Sequence, residues 1–200
     1  MLKIRLTKNE LKRQKDALKM YNRYLPTLIL KKQQLQVEIR KVEEKQHKLQ
    51  EERDLLKKGF QRWIAVFGED VGLNEKLIVL EEFRRGIGNI AGVSIPLFEG
   101  VKFAASTHDL WSMPLWVDRA IEELQRVMLL DLELQVLREQ YSLLFIELRT
   151  TTQRVNLFEK VKIPETKMYI KKINIYLGDQ QTTSVVRGKI AKRGLEKVAG

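Results

Sequence analysis

Met113 to Phe158 reads MPLWVDRAIEELQRVMLLDLELQVLREQYSLLFIELRTTTQRVNLF. Its apolar residues fall at alternating steps of three and four: Met113, Trp116, Ala120, Val127, Leu130, Leu134, Leu137, Tyr141, Leu144, Leu148, Val155 and Phe158. Only Glu123 and Thr151 interrupt the series. That is a heptad with two apolar seam positions, the pattern of a helix wound against another helix. The N-terminal part carries a matching seam. One row is Leu11, Leu18, Leu25, Ile39, Phe60 and Phe67, with Lys32, Gln46 and Arg53 in its gaps. The other starts at Gln14 and continues through Tyr21, Leu28, Leu35, Val42, Leu49, Leu56 and Trp63. Two long seams in one chain predict two helices that pair with each other.

The expected fold class is therefore mainly α: a long antiparallel two-helix coiled coil, N- and C-terminal, with a small central insert containing a β-hairpin. The seam is expected to run through Leu25, Leu28, Leu35, Val42 and Leu49 on one side. On the other it runs through Val127, Leu134, Tyr141, Leu148 and Val155. With Phe67 placed near Met113, partner numbers sum to about 180. Leu25 then faces Val155, Leu11 faces Tyr169, and the polar exceptions Arg53 and Glu123 are expected to pair. Both chain ends lie at one tip.

Composition fits this reading. The chain has 200 residues and no cysteine, so it has no disulfide and no thiolate metal site. No apolar run reaches the length needed to span a bilayer. Met1 to Leu30 is basic and amphipathic without a continuous apolar core, so no signal peptide is expected. The net charge of +11 favours acidic partners.

Taken in order, residues 1–67 form the first helix, with Thr7 as its cap and Glu10 three positions on. Pro26 lies inside it and predicts a kink rather than a break, because the seam stays in phase around it. Residues 68–111 form a glycine-rich insert. A hairpin is expected near 93–104, turning at Glu99-Gly100, with Pro96 confining its strand to an edge. Residues 112–177 form the second helix, with Pro114 in its first turn. Pro164 disturbs it, and Met168, Tyr169, Ile173, Tyr176 and Leu177 extend an apolar stripe beyond. Residues 178–200 are a basic tail, read as a frayed helix or as disordered.

No catalytic constellation is visible, and no cofactor or metal is expected. His47 and His108 have no ligand-spaced companion. Gly86 to Gly92 lacks the Lys-Ser/Thr of a phosphate loop and reads as a flexible connection. The basic residues are more informative. Lys8, Lys12, Arg13 and Lys15 cluster near one end, and Lys171 and Lys172 near the other. Antiparallel pairing puts them at one tip, either as a solvated face or as a charged end that enters an acidic site. The apolar hairpin residues Val93, Ile95, Leu97 and Phe98 are too few for a core of their own. They are expected to pack on the coiled coil or on a partner. No nucleic-acid-binding motif is present.

Two stretches carry a family resemblance. Asn89-Ile90-Ala91-Gly92-Val93-Ser94-Ile95-Pro96-Leu97-Phe98-Glu99 resembles the central segment of the D subunit of V-type (V/A-type) ATPases and ATP synthases. Arg154-Val155-Asn156-Leu157-Phe158-Glu159, followed by Ile163-Pro164 and Tyr169-Ile170, is similar to the C-terminal helix of the same protein. The short length looks more like the bacterial or archaeal form. The resemblance implies a non-catalytic central-stalk rotor shaft that transmits torque between the catalytic A/B hexamer and the membrane rotor ring. Implied partners are that hexamer, the small F subunit of the stalk and the socket subunit on the ring. The implied location is cytoplasmic and peripheral to the membrane. The alternative from another class is a prefoldin-like coiled-coil chaperone or tether, which also pairs its end helices across hairpins.

Overall fold

The computed structural model describes residues 4–61, 78–104 and 116–198. The elements are helix α1 (Lys8–Gln61), strands β1 (Leu80–Ile90) and β2 (Val93–Phe103), helix α2 (Trp116–Asn156), a π-helical turn (Leu157–Lys162) and helix α3 (Ile163–Val198). The expected stop at Gly68 and the start near Ser112 and Pro114 lie outside the described residues. The chain divides into two compact units. One comprises Met1–Lys32 and Thr150–Gly200, the other Gln33–Arg149.

Helix α1 starts where the cap predicts. The Glu10 amide donates to Thr7 Oγ1 at 3.3 Å, and the Leu11 amide to the Thr7 carbonyl at 3.0 Å. Pro26 lies inside the helix without ending it. The Thr27 hydroxyl donates to the Tyr24 carbonyl at 2.8 Å.

In the unit of residues 33–149, α1 and α2 bury their seams. Leu35, Ile39 and Val42 of α1 form one core with Leu137 and Leu144 of α2, and Ile95 of β2 joins it. Leu49, Tyr141 and Leu148 pack against it, half-buried. Val127 and Leu134 are buried as well. Lys45 meets Glu133 at 2.8 Å across the pair. Arg53 does not pair with Glu123. Its guanidinium binds Asp54 at 2.9 Å and Asp131 at 3.2 Å, which raises its pKa through those hydrogen bonds. Asp131 sits two turns beyond Glu123 on α2, and a long arginine side chain reaches along the seam's edge to it.

The hairpin is longer than expected, and its turn lies elsewhere. β1 and β2 are antiparallel, with Ile90 opposite Val93 and Leu80 opposite Phe103. The turn is Ala91-Gly92, both at positive φ (51° and 80°), as a two-residue type I′ turn requires. The Asn89 side chain accepts from the Gly92 amide at 3.0 Å. Glu99 is a bulge: Arg84 pairs with Gly100 and Arg85 with Phe98. Gly100, at φ 142°, supplies the backbone freedom that the bulge uses. Gly86 to Gly92 is thus strand and turn, not a flexible connection. A Cβ on Gly88 would lie 2.9 Å from Leu97 Cδ1, so the glycine admits the neighbouring strand's leucine.

In the other unit, Tyr21 stacks on Phe158 with ring centroids 5.3 Å apart. Their numbers sum to 179, within the register expected for the pair. Leu25 and Leu28 are half-buried and Val155 is buried. Beyond Phe158 the buried series changes phase. Ile163, Thr166 and Ile173 are buried, and Ile170 and Leu177 half-buried. The step from Phe158 to Ile163 is five residues, after which threes and fours resume. A π turn carries one more residue per turn than an α turn, so Leu157–Lys162 absorbs the surplus residue and the stripe stays on one face. Pro164 follows at once. It cannot donate, and in a regular helix its ring would press on the carbonyl four residues back; the wider turn relieves both. Met168 and Tyr176, expected on the stripe, are exposed. Tyr169 lies one position off the buried series, and its hydroxyl donates to Glu165 at 2.6 Å.

The tail is helical. α3 continues to Val198. The hydroxyls of Thr182, Thr183 and Ser184 donate to the carbonyls of Gly178, Asp179 and Gln180 at 3.1, 2.8 and 2.9 Å. Back-bonding of this kind lets short polar side chains sit inside a helix.

Deleting Glu159 together with Pro164→Ala is expected to turn the π turn into regular α-helix and keep Ile163, Thr166 and Ile173 on the seam. Circular dichroism melting should show a midpoint no lower than that of the unchanged chain. Deleting Arg149 instead shifts the seam where it is regular, and should lower the midpoint by at least about 5 °C. At the hairpin turn, Ala91→Gly is expected to stabilise the unit by about 1 kcal/mol, because alanine is held at positive φ; denaturant unfolding measures it. A double-mutant cycle of Arg53→Ala with Asp131→Ala should show coupling, and Arg53→Ala with Glu123→Ala none.

Candidate partner-binding surfaces

The basic tip residues belong to one unit. Lys8, Lys12, Arg13 and Lys15 lie in the first turns of α1 and are exposed; Lys171 and Lys172 lie on α3 and are exposed too. The chain's two ends therefore contribute to the same body. Near the start of α1, Glu10 is the local counter-charge. It meets Arg13 at 3.9 Å and accepts from Gln14 Nε2 at 2.8 Å. The helical tail adds Arg187, Lys189 and Arg193, all exposed. An array of ammonium and guanidinium groups on two helices can receive carboxylates.

Strand alternation puts Val93, Ile95 and Leu97 on one face of β2 and Phe98 on the other. Ile95 is 1% exposed and committed to the chain's own core. Val93 and Phe98 are half-buried, and Phe98 lies 6.1 Å from Phe83 across the strands. Leu97, on the same face as Ile95, lines a groove with Val42, Val136 and Leu137 and is 39% exposed. Two polar ties hold the hairpin on α2. Gln140 Nε2 donates to the Pro96 carbonyl, and Arg85 meets Glu139 at 3.2 Å. The Arg85 guanidinium also lies over the Phe83 ring, 4.5 Å from its centroid. Lys41, Lys45, Leu97, Phe98, Glu133 and Gln140 surround an open groove of about 220 Å³, too shallow for a cofactor that must be enclosed. Farther from the turn, Arg84 and Lys102 meet Glu82 at 2.9 and 3.7 Å. The bond from Arg84 holds that carboxyl below its ordinary range.

Among the described residues, no group of three or more His, Cys, Asp or Glu is gathered as a metal site. His47 is exposed, 3.4 Å from Glu51 on its own helix; His108 lies outside the described residues. Among the described residues no helix is long and apolar enough to cross a membrane. The π turn and the Ala91-Gly92 turn do not follow from the sequence patterning, and the tail takes the helical one of its two expected forms. The five-residue step between Phe158 and Ile163 is the signal that points to the first.

The sequence model of the family described as the ATP synthase D subunit matches residues 10–193. A V-type ATP synthase D subunit from Borreliella burgdorferi is 52% identical over 197 residues, covering 98% of this chain and 97% of that protein. A V-type ATP synthase D subunit from Chlamydia muridarum is 34% identical over 199 residues, with 97% of each chain covered. That of Chlamydia felis is 33% identical over 198 residues, covering 97% of this chain and 94% of the relative. With matches along nearly its whole length, the chain belongs to the family of ATP synthase D subunits.

Proposed function

We propose that the chain is the central-stalk rotor shaft of a V-type ATPase/ATP synthase. In this reading it carries torque between the catalytic A/B hexamer and the membrane rotor ring. ATP is bound and turned over on the hexamer, and this chain is non-catalytic. It works on the cytoplasmic side, peripheral to the membrane. The basic tip, with Lys8, Lys12, Arg13, Lys15, Lys171 and Lys172, meets acidic groups of the hexamer. The hairpin residues that keep part of their surface exposed, Val93, Leu97 and Phe98, meet the small F subunit of the stalk. A socket subunit joins the chain to the ring.

The observation that carries the reading is the building of one unit from the two ends of a chain of this family. Tyr21 on Phe158 ties those ends into a single body, and a body that turns as one can transmit torque. A prefoldin-like chaperone needs the opposite: helical arms that part to receive a client. Neither the family match nor the basic, charged ends favours that.

The test uses Leu25→Cys with Val155→Cys in a chain that has no other cysteine. Their numbers sum to 180, so their Cα atoms are expected within the roughly 7 Å that a disulfide needs. Under oxidation the bond should form, and the assembled complex should keep its rotation and ATP turnover. Loss of turnover that returns on reduction would refute the rigid shaft. An unmodified chain that does not copurify with the ATPase subunits would refute the assignment itself.

A further inference from the structure

Around the π turn, large apolar side chains stand in solvent on both helices of one unit. Met20 is 47% exposed, Tyr24 51%, Leu157 44% and Val161 48%. Their positions are not scattered. Tyr21 and Phe158 touch each other and are half-buried. Met20 and Tyr24 flank Tyr21 on its outward side, four residues apart on α1. Leu157 and Val161 flank Phe158 in the same way. In an antiparallel pair, equivalent outward positions of the two helices lie on the same side of the seam. The stacked rings are therefore the floor of one patch, and the four exposed side chains are its walls.

Elsewhere the chain covers such positions itself: Val136 and Gln140, on the outward side of α2, are buried where β2 lies over them. No described element does that for Met20, Tyr24, Leu157 and Val161. Basic residues outnumber acidic ones at the rim of the patch, where Asp16 stands one turn before Met20 and Glu165 one turn after Val161. Arg13 stands two turns before Met20, Arg23 next to Tyr24, Arg154 one turn before Leu157, and Lys160 and Lys162 on either side of Val161. Contiguous exposed apolar surface rimmed by charge marks an interaction site.

We infer that this patch docks an amphipathic helix of a protein partner, whose apolar stripe lies over Tyr21 and Phe158 and whose flanks carry carboxylates. The proposal rests on the rotor reading and names one surface through which the shaft meets the catalytic head. The charge argues against a second copy of this chain, which would bring the same basic rim and a net charge of +11. It is a local patch rather than a membrane-binding face. Along the same flank Asp16 follows Arg13 on α1 and Glu165 follows the turn on α3, whereas lipid needs an apolar stripe sustained along a helix. The π turn sets the patch, since Leu157 and Val161 both belong to it.

The test is assembly of the ATPase head from its own subunits with full-length chain. Met20→Ser with Leu157→Ser should bind the head more weakly, by roughly tenfold or more for each side chain removed from an apolar contact. The thermal unfolding midpoint of the free chain should fall by only a few degrees, because both side chains are about half exposed. Met20→Leu with Leu157→Met should restore binding. Arg154→Glu with Lys162→Glu should weaken binding, and tightening would overturn the acidic partner. Unchanged affinity of the serine variant, with the unmodified chain binding normally, overturns the surface and leaves the rotor reading standing. Failure of the unmodified chain to join the head overturns the rotor reading. If the serine changes instead abolish self-association of the free chain, or its capture by vesicles containing anionic phosphatidylglycerol, the occupant is a second copy or a lipid surface and the inference fails.

Discussion

Phase between two helices is the constraint on which the rest depends. An α-helix has 3.6 residues per turn, and a seam of threes and fours repeats every 3.5. Such a seam stays buried only while each residue added to one helix is absorbed somewhere. From Trp116 to Phe158 the steps of α2 obey the rule. Between Phe158 and Ile163 the chain carries one residue too many. A regular helix would swing Ile163, Thr166 and Ile173 away from α1 by about 100°. The π turn prevents it, and so keeps Ile173 fully buried.

The same turn resolves a second conflict. Pro164 has no amide hydrogen and needs space at the turn before it. Placing the proline just after the π turn lets a single irregularity serve both demands. Pro26 in α1 is carried differently, inside an unbroken helix, because no phase change accompanies it: Leu25 and Leu28 remain on the half-buried side. Two prolines in long helices thus have different outcomes, and the seam rather than the proline decides between them.

Much of this was legible from residue spacing. The seam residues Leu35, Val42, Leu134 and Val155 are buried, and the cap at Thr7 forms. What was not legible has a physical cause in each case. Composition places the hairpin one strand too late, because Glu99-Gly100 has turn composition yet serves as a bulge. Gly86 and Gly88 hide β1, since glycine lowers strand propensity even where close contact with Glu99 and Leu97 requires it. Ala91 hid the turn, because positive φ is unusual for alanine. Arg53 was matched to Glu123 by level alone, and level takes no account of side-chain length. Of the candidate surfaces, the tip residues were legible as charge. The patch at Met20 and Leu157 was not, because exposed apolar residues on a helix differ from core ones only once the seam's phase is known.

Burial divides the apolar residues into those the chain satisfies and those it leaves. A seam of two unlike helices has two unlike flanks. In the unit of residues 33–149, Ile95 enters the core and the Pro96 carbonyl occupies Gln140, so one flank of α2 there is closed by the hairpin. In the unit of the two chain ends, the stacked rings of Tyr21 and Phe158 have no such cover among the described residues. Exposing four large apolar side chains costs solubility, and the basic rim offsets that cost through charge repulsion between copies. The asymmetry suits a shaft. A body with identical sides would present the same contact to every catalytic site at every angle, and its rotation would distinguish none of them. The inferred patch lies on one flank and so makes angle count, since a partner site can cover it only when that flank is turned towards it.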